Sequence, residues 1–213
     1  MPFNCFKKAC NAVSAVFREG ITPSALEFIE RDAILWTIKY TDAKIKIDNK
    51  TQAHLLIEVD GNNLDNLYED CEKLSRVLKR FDCGDISIAD TALEKERLWK
   101  IRRSIGEAVK TNSIYKEEDT VVPRAELAKL LNGVKIIGDK YGFKTICYGH
   151  AGDGNLHINI IKGKMSDRKW NTELSEGIRE IFKLTKSLGG TISGEHGIGY
   201  VQKYYLDIVF SEK

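Results

Sequence analysis

The chain has 213 residues, 42% of them apolar and 30% charged, with a formal net charge of +2. That is enough chain to bury a real core in one large or two small domains, and the near-neutral charge excludes a dedicated nucleic-acid binder, since Lys7-Lys8 and Arg102-Arg103 are single basic pairs and not a block. No apolar run reaches the length of a membrane span, and the N-terminus carries no signal-peptide pattern.

Residues 3–19 predict a helix, with Phe6, Ala9, Val13, Val16 and Phe17 on one face and Gly20 as the stop. Ala25–Ile29 predicts a short strand, Arg31–Tyr40 a helix, and residues 41–52 a polar loop. His54–Val59 predicts a buried strand, closed by Asp60-Gly61-Asn62-Asn63. Leu64–Phe81 predicts an amphipathic helix through Leu64, Leu67, Cys71, Leu74, Val77 and Leu78, and Ile86–Ala89 a strand. Thr91–Lys110 reads as one long charged helix with Leu93, Leu98, Ile101 and Ile105 on its apolar side. The pattern then recurs. Thr120–Val122 predicts a strand, Arg124–Tyr141 a helix, Lys144–Tyr148 and Leu156–Ile161 two strands, Arg168–Leu188 a helix and Thr191–Ser193 a short strand.

The second half thus reads β-α-β-β-α-β, the order of a ferredoxin-like split βαβ unit. The first half has the same order with its first strand absent. The expected fold class is α+β: duplicated ferredoxin-like units, an antiparallel sheet flanked by helices, and a first unit clipped at its N-terminal strand. The expected division is residues 1–90 for the incomplete first unit, 91–118 for the linking helix and loop, and 119–213 for the second unit.

Two of the four histidines, His150 and His157, lie either side of Ala-Gly-Asp-Gly-Asn-Leu. A straight strand would send positions seven apart to opposite faces, and a helix would set them two turns apart. The Gly152-Asp153-Gly154 insert forbids a regular helix and lets the chain double back between two strands, so the rings can converge. Beyond the loop, Leu156, Ile158 and Ile160 alternate with His157 and Asn159, which places the second pair on one face. That face is expected to be an exposed concave surface, with Leu156, Ile158 and Ile160 under helices 124–141 and 168–188.

SGEHGIG, residues 193–199, adds Glu195 beside His196, again between glycines. Two histidines and one glutamate form a ligand set that leaves coordination positions open, as catalytic metal sites do. His196 would remain unligated as a general base. The plainer alternatives are an ordinary hairpin turn for Gly-Asp-Gly, a phosphate-cradling nest, or histidines that are merely structural. His54 reads as a half-buried polar residue of a strand. The five cysteines, Cys5, Cys10, Cys71, Cys83 and Cys147, make no C-x-x-C pair, and their odd number and spread predict reduced thiols in a cytoplasmic compartment, attachment at the membrane periphery being left open.

GHAGDGNLH, SGEHGIG and ERLWKIRR together resemble the C-terminal, substrate-binding (cap) domain of the FAD-linked oxidases, the group of D-lactate dehydrogenases, glycolate oxidase large subunits and D-2-hydroxyglutarate dehydrogenases. GITPSALEFIERDAI, residues 20–34, resembles the glycolate oxidase and D-lactate dehydrogenase branch. The resemblance covers nearly the whole chain. It implies a cap of duplicated ferredoxin-like units over FAD, with the flavin bound by a separate N-terminal domain that these residues do not include. It implies that His150, His157 and Glu195 hold a divalent metal, for which zinc is the choice from ligand type, that His196 is the catalytic base, and that Arg102 and Asn159 contact the substrate. One departure concerns Glu117, which stands where the hydroxyglutarate enzymes carry a lysine two residues before the aspartate of D-x-x-x-P. This disfavours a distal substrate carboxylate and favours a small monocarboxylate. The family's final segment near N-P-G-K is also missing, so the chain is expected to be a piece of a longer enzyme, inactive without its FAD domain.

The expected function is the oxidation of a small D-2-hydroxy acid, of glycolate or D-lactate type, to the 2-oxo acid. The expected partners are that substrate, the FAD domain and an electron-accepting protein or quinone. A metal-dependent hydrolase using the same two histidines and glutamate, or a non-catalytic interaction domain with structural histidines, are the competing readings.

Overall fold

A computed structural model describes residues 1–43 and 47–210. In chain order the elements are β1 (Pro2–Phe3), α1 (Phe6–Arg18), β2 (Ala25–Glu30), α2 (Arg31–Thr41), β3 (Ala53–Glu58), α3 (Leu64–Lys79), α4 (Ala92–Arg103), α5 (Ile105–Asn112), β4 (Tyr115–Val121), α6 (Leu127–Tyr141), β5 (Lys144–Gly149), β6 (Asn155–Ile161), α7 (Asp167–Thr172), α8 (Leu174–Ser187) and α9 (Leu206–Val209). Short 3-10 turns at Arg124–Glu126, Ala151–Asp153 and Lys203–Tyr205 complete the path. The fold is α+β, with the strands in one antiparallel six-stranded sheet in the order β1-β3-β2-β5-β6-β4.

Each half of the sheet has ferredoxin-like order, and the halves join where β2 meets β5 through Phe28–Gly149 and Ile29–Tyr148. The first strand of the first half, which the pattern left absent, is present as the two-residue β1 paired to β3 at Pro2–His54 and Phe3–Ala53. Two residues cannot display the alternation by which a strand is read. The fourth strand of each half is reduced to one bridge, Phe3–Cys83 in the first and Val121–Thr191 in the second. Residues 86–89 are therefore not a strand, and Ile88 is exposed. In the second half β4 begins five residues earlier than expected, at Tyr115. Its Lys-Glu-Glu-Asp run reads as loop because both of its faces carry charge.

The sheet faces are unlike. On one, α1, α3, α6 and α8 bury the main core, which includes Phe28, Leu55, Leu130, Val134, Leu156, Ile158, Ile160, Ile178 and Phe182. On the other, α2 and α5 cover only part of the sheet, packing Ala33, Ile34, Ile105 and Val109 on Ile29, Ile146, Tyr148 and Ile161. The uncovered part of this second face carries the polar side chains.

Helix boundaries follow local chemistry. Asn63 caps α3 by accepting the Asp65 and Asn66 N–H groups, and Thr91 with Glu94 forms a reciprocal capping box on α4. The long helix expected over 91–110 is divided at Ser104 into α4 and α5. Its expected apolar side does not exist in α4, where Leu93 and Leu98 are exposed and Arg102 is the buried residue. The helix expected over 168–188 is likewise divided at Glu173. The loop expected over 41–52 begins after α2 ends at Thr41, and residues 44–46 of it lie outside the described residues. Among the described residues no helix is long and apolar enough to cross a membrane.

Candidate functional site

The β5–β6 hairpin brings the two histidines together. Its connection is a 3-10 turn in which the Asp153 and Asn155 N–H groups both donate to the His150 carbonyl. Gly154 has φ +77°, and a Cβ there would overlap the Val122 carbonyl oxygen, so the turn admits only glycine. The plain hairpin reading of Gly-Asp-Gly is thus correct for the backbone, and the hairpin is also what delivers the rings. Their centroids are 6.0 Å apart.

Glu195 meets them from the segment after α8. Its Oε1 lies 3.2 Å from His150 Nε2 and 3.8 Å from His157 Nε2. One donor atom from each of the three residues falls within 4.8 Å of the others, close enough for one ion to reach all three. His196 is next to this cluster and stacks on His157 at 5.1 Å between ring centroids. A second convergence joins Glu117 to both of those rings, with its Oε1 3.5 Å from His157 Nδ1 and from His196 Nδ1. A cleft at the cluster is lined by Val121, His150, Asp153, Asn155, Gly194 and Glu195.

The segment carrying Glu195 and His196 is held by the aspartate of D-x-x-x-P, to which the motif reading gave no role. Asp119 Oδ2 accepts the backbone N–H groups of Gly194, Glu195 and His196 at 2.8, 2.6 and 3.0 Å. Its Oδ1 accepts from the Asn155 amide at 2.5 Å, tying the same carboxylate to the histidine hairpin. Burial alone would raise the Asp119 carboxyl, but the N–H donors of His196 and Glu195, then Asn155 and Gly194, outweigh it and hold it below its ordinary value. Gly194 is needed for this close approach, because a Cβ would overlap the Asn155 amide.

Arg102 reaches the same face from α4. It is 9% exposed, its guanidinium stands 5.0 Å from the Tyr148 ring centroid, and its Nε donates to Glu27 Oε2 at 2.6 Å. Glu27, on β2, also contacts His150 Nδ1 through Oε1 at 2.5 Å. The neighbouring Arg103 is exposed and pairs with Glu96. Tyr148 leans on His157, and burial followed by the nearby Glu117 charge pushes its phenol up to about 12.

Asn159 departs from expectation in its cover, not its register. Leu156, Ile158 and Ile160 are in the main core, so the alternation is right, yet Asn159 is 0% and His157 5% exposed, and neither lines an open concave surface. Alternation determines the face of a strand but not what packs over it. Here α5 closes over this stretch, with Gly106 against the Tyr148 hydroxyl. Both amide atoms of Asn159, Arg102 Nη2 and His157 Nδ1 are buried without a hydrogen-bond partner among the described residues. Such groups are costly to leave unpaired, and four of them around one cluster suit a polar ligand.

Glu27 and Tyr148 escaped the motif reading, and Asp119 entered it only as a motif position without a role. The signal for Glu27 was an acid at the centre of the otherwise apolar stretch 25–29, and that for Asp119 its place four residues before Pro123.

The fold and site define an α+β domain whose half-covered sheet face presents a cluster of two histidines and a carboxylate beside a buried arginine. Residues 1–213 match the family described as FAD linked oxidases, C-terminal domain, and the chain belongs to that family. It is 30% identical over 211 residues to a D-lactate dehydrogenase of Anaerostipes hadrus, covering 97% of this chain and 44% of that protein. It is 34% identical over 203 residues to glycolate oxidase subunit GlcD of Bacillus subtilis (strain 168), covering 94% and 42%. A D-2-hydroxyglutarate–pyruvate transhydrogenase of Saccharomyces cerevisiae is 33% identical over 195 residues, covering 84% and 38%. The chain therefore spans less than half the length of these relatives.

Proposed function

We propose that this chain is the substrate-side part of a flavin-dependent dehydrogenase that oxidises a small D-2-hydroxy acid, of glycolate or D-lactate type, to the 2-oxo acid. In this reading residues 1–90 and 119–213 are the two units, and FAD is held mainly by a separate domain. The observation that carries it is the meeting of His150, His157 and Glu195 beside the buried, unpartnered Arg102 Nη2. The donor set suits a divalent ion, zinc by ligand type, because His150 Nδ1 is engaged by Glu27 and its Nε2 is left toward Glu195.

When bound, the metal would supply Lewis acidity at the substrate hydroxyl, and FAD would take up the electron pair that leaves with the Cα hydrogen. The rest falls to the protein. Arg102 offers Nη2 to the substrate carboxylate while Glu27 holds its Nε edge. Asn159 offers its unpaired amide beside it. His196 accepts the hydroxyl proton. Its Nδ1 lies 3.5 Å from Glu117 Oε1, a carboxylate that would favour the imidazolium formed by that transfer. Glu117 also sets a negative charge at this face, which favours a monocarboxylate over a dicarboxylate substrate.

The test is twofold. The chain should bind zinc, and replacing both His150 and His157 by alanine should abolish binding. Joined to its flavin domain, the protein should be yellow and reduce a dye with D-lactate or glycolate. In that protein Arg102→Lys should retain part of kcat/KM and Arg102→Met very little, because the planar fork is lost. A colourless protein that instead hydrolyses an ester or amide in a zinc-dependent way would replace this reading with a hydrolase.

A further inference from the structure

Glu27 touches neither substrate nor metal in the chemistry above, yet it is nearly fully buried on this face. Its side chain is 3% exposed, and its two oxygens serve different partners. Oε1 meets His150 Nδ1 at 2.5 Å and Oε2 meets Arg102 Nε at 2.6 Å. We propose that Glu27 is a positioning residue that fixes His150 as a metal ligand and, through its other oxygen, fixes Arg102 beside it. This rests on the metal reading given above.

The argument is one of donors and acceptors. Carboxylates can only accept, and both ring nitrogens of His150 face one, but Glu27 at 2.5 Å from Nδ1 is closer and more buried than Glu195 at 3.2 Å from Nε2, so a singly protonated ring keeps its hydrogen on Nδ1. The lone pair is then on Nε2, the atom turned toward Glu195 and His157. Metal-bound histidines characteristically donate their other ring N–H to a carboxylate or carbonyl, which orients the ring and raises its basicity as a ligand. His150 needs that help, because its side chain is 39% exposed whereas that of His157 is 7% exposed and held by packing. On the other side, Glu27 takes the guanidinium by its Nε and leaves Nη2 unpartnered. One buried carboxylate thereby orients a ligand for the metal and a grip for the substrate. If Glu27 served only to neutralise Arg102, the His150 tautomer would be independent of it.

The experiment uses the 213-residue chain with zinc as the probe. Long-range ¹H–¹⁵N spectra of the metal-free wild type, taken above the pH at which the ring carries two protons, should report His150 as the Nδ1–H tautomer. Glu27→Gln should lower zinc affinity about 10- to 100-fold. The loss should persist in Glu27→Gln combined with Arg102→Met, which removes the guanidinium left unpaired by the single change. A wild-type His150 in the Nε2–H tautomer overturns the proposal even if no variant folds, and so does a folded Glu27→Gln chain that binds zinc as tightly as the wild type. A wild-type chain with no zinc affinity overturns the metal reading itself, and this inference falls with it.

Discussion

Asp119 concentrates more of the site's geometry than any histidine does. Three consecutive backbone N–H groups and one side-chain amide converge on its two oxygens. Removing a buried acceptor leaves each donor to find water or go unpaired, at about 1–3 kcal/mol each where water cannot enter. Asp119→Ala is therefore expected to lower stability by roughly 3 kcal/mol or more by denaturant titration. It should also free the 194–196 segment, so that amide exchange at Glu195 and His196 rises above that of β6. Unchanged protection there would mean the segment is held by other contacts. Arg102 and Glu27 teach a related lesson. Their ion pair is nearly fully buried, so a substitution on one side leaves a charge behind.

Among the elements, β6 divides its labour by alternation. Ile158 faces the main core with 0% exposure, while His157 and Asn159 face the site. Ile158→Ala should cost about 2–5 kcal/mol by denaturant titration, since the removed methyls leave a cavity between sheet and helices. Leu93→Ala, on exposed α4, should change stability by no more than about 0.5 kcal/mol. Equal costs for the two would refute the assignment of faces. The helix period in α4 led to the opposite expectation for Leu93 because leucines at helical spacing usually mark a buried stripe. Here α4 is anchored instead by Arg102 and by Trp99, whose Nε1 donates to Glu58 at 2.7 Å.

Across the whole molecule, buried titratable groups make stability depend on pH in opposing ways. On β3, burial first, then the N-terminal and Arg31 charges, lower His54 from 6.5 to about 4. Between those values the unfolded chain binds more protons than the folded one, so stability rises with pH across the window and is lost as pH falls through it. The contribution is at most about 3 kcal/mol. His54→Gln should flatten the acid limb of Tm against pH between about 4 and 6.5, and an unaltered limb would show that His54 is not desolvated. Glu118, raised by burial to about 7 despite Lys116, works the other way: its folded form keeps a proton that the unfolded form has lost, so its contribution declines from pH 4.5 to about 7.

Much of this protein was legible in local sequence. Apolar alternation in 156–160 marked the sheet face, helical spacing in 64–78 and 127–137 marked the helices over the core, and glycines around His150 and Glu195 marked the two loops that meet. These are local signals, set by φ/ψ freedom and by side-chain period, and they reside within a few residues of each other. The pairing of Glu27 with His150 spans 123 residues, that with Arg102 spans 75, and Asp119 reaches Glu195 across 76. No periodicity encodes such partners. They exist because β2 is laid against β5 and β4 against β6, which brings distant carboxylates onto one face. The cover over Asn159 and the burial of Arg102 were decided in the same way, by how α4 and α5 pack on a sheet that the other helices leave half open.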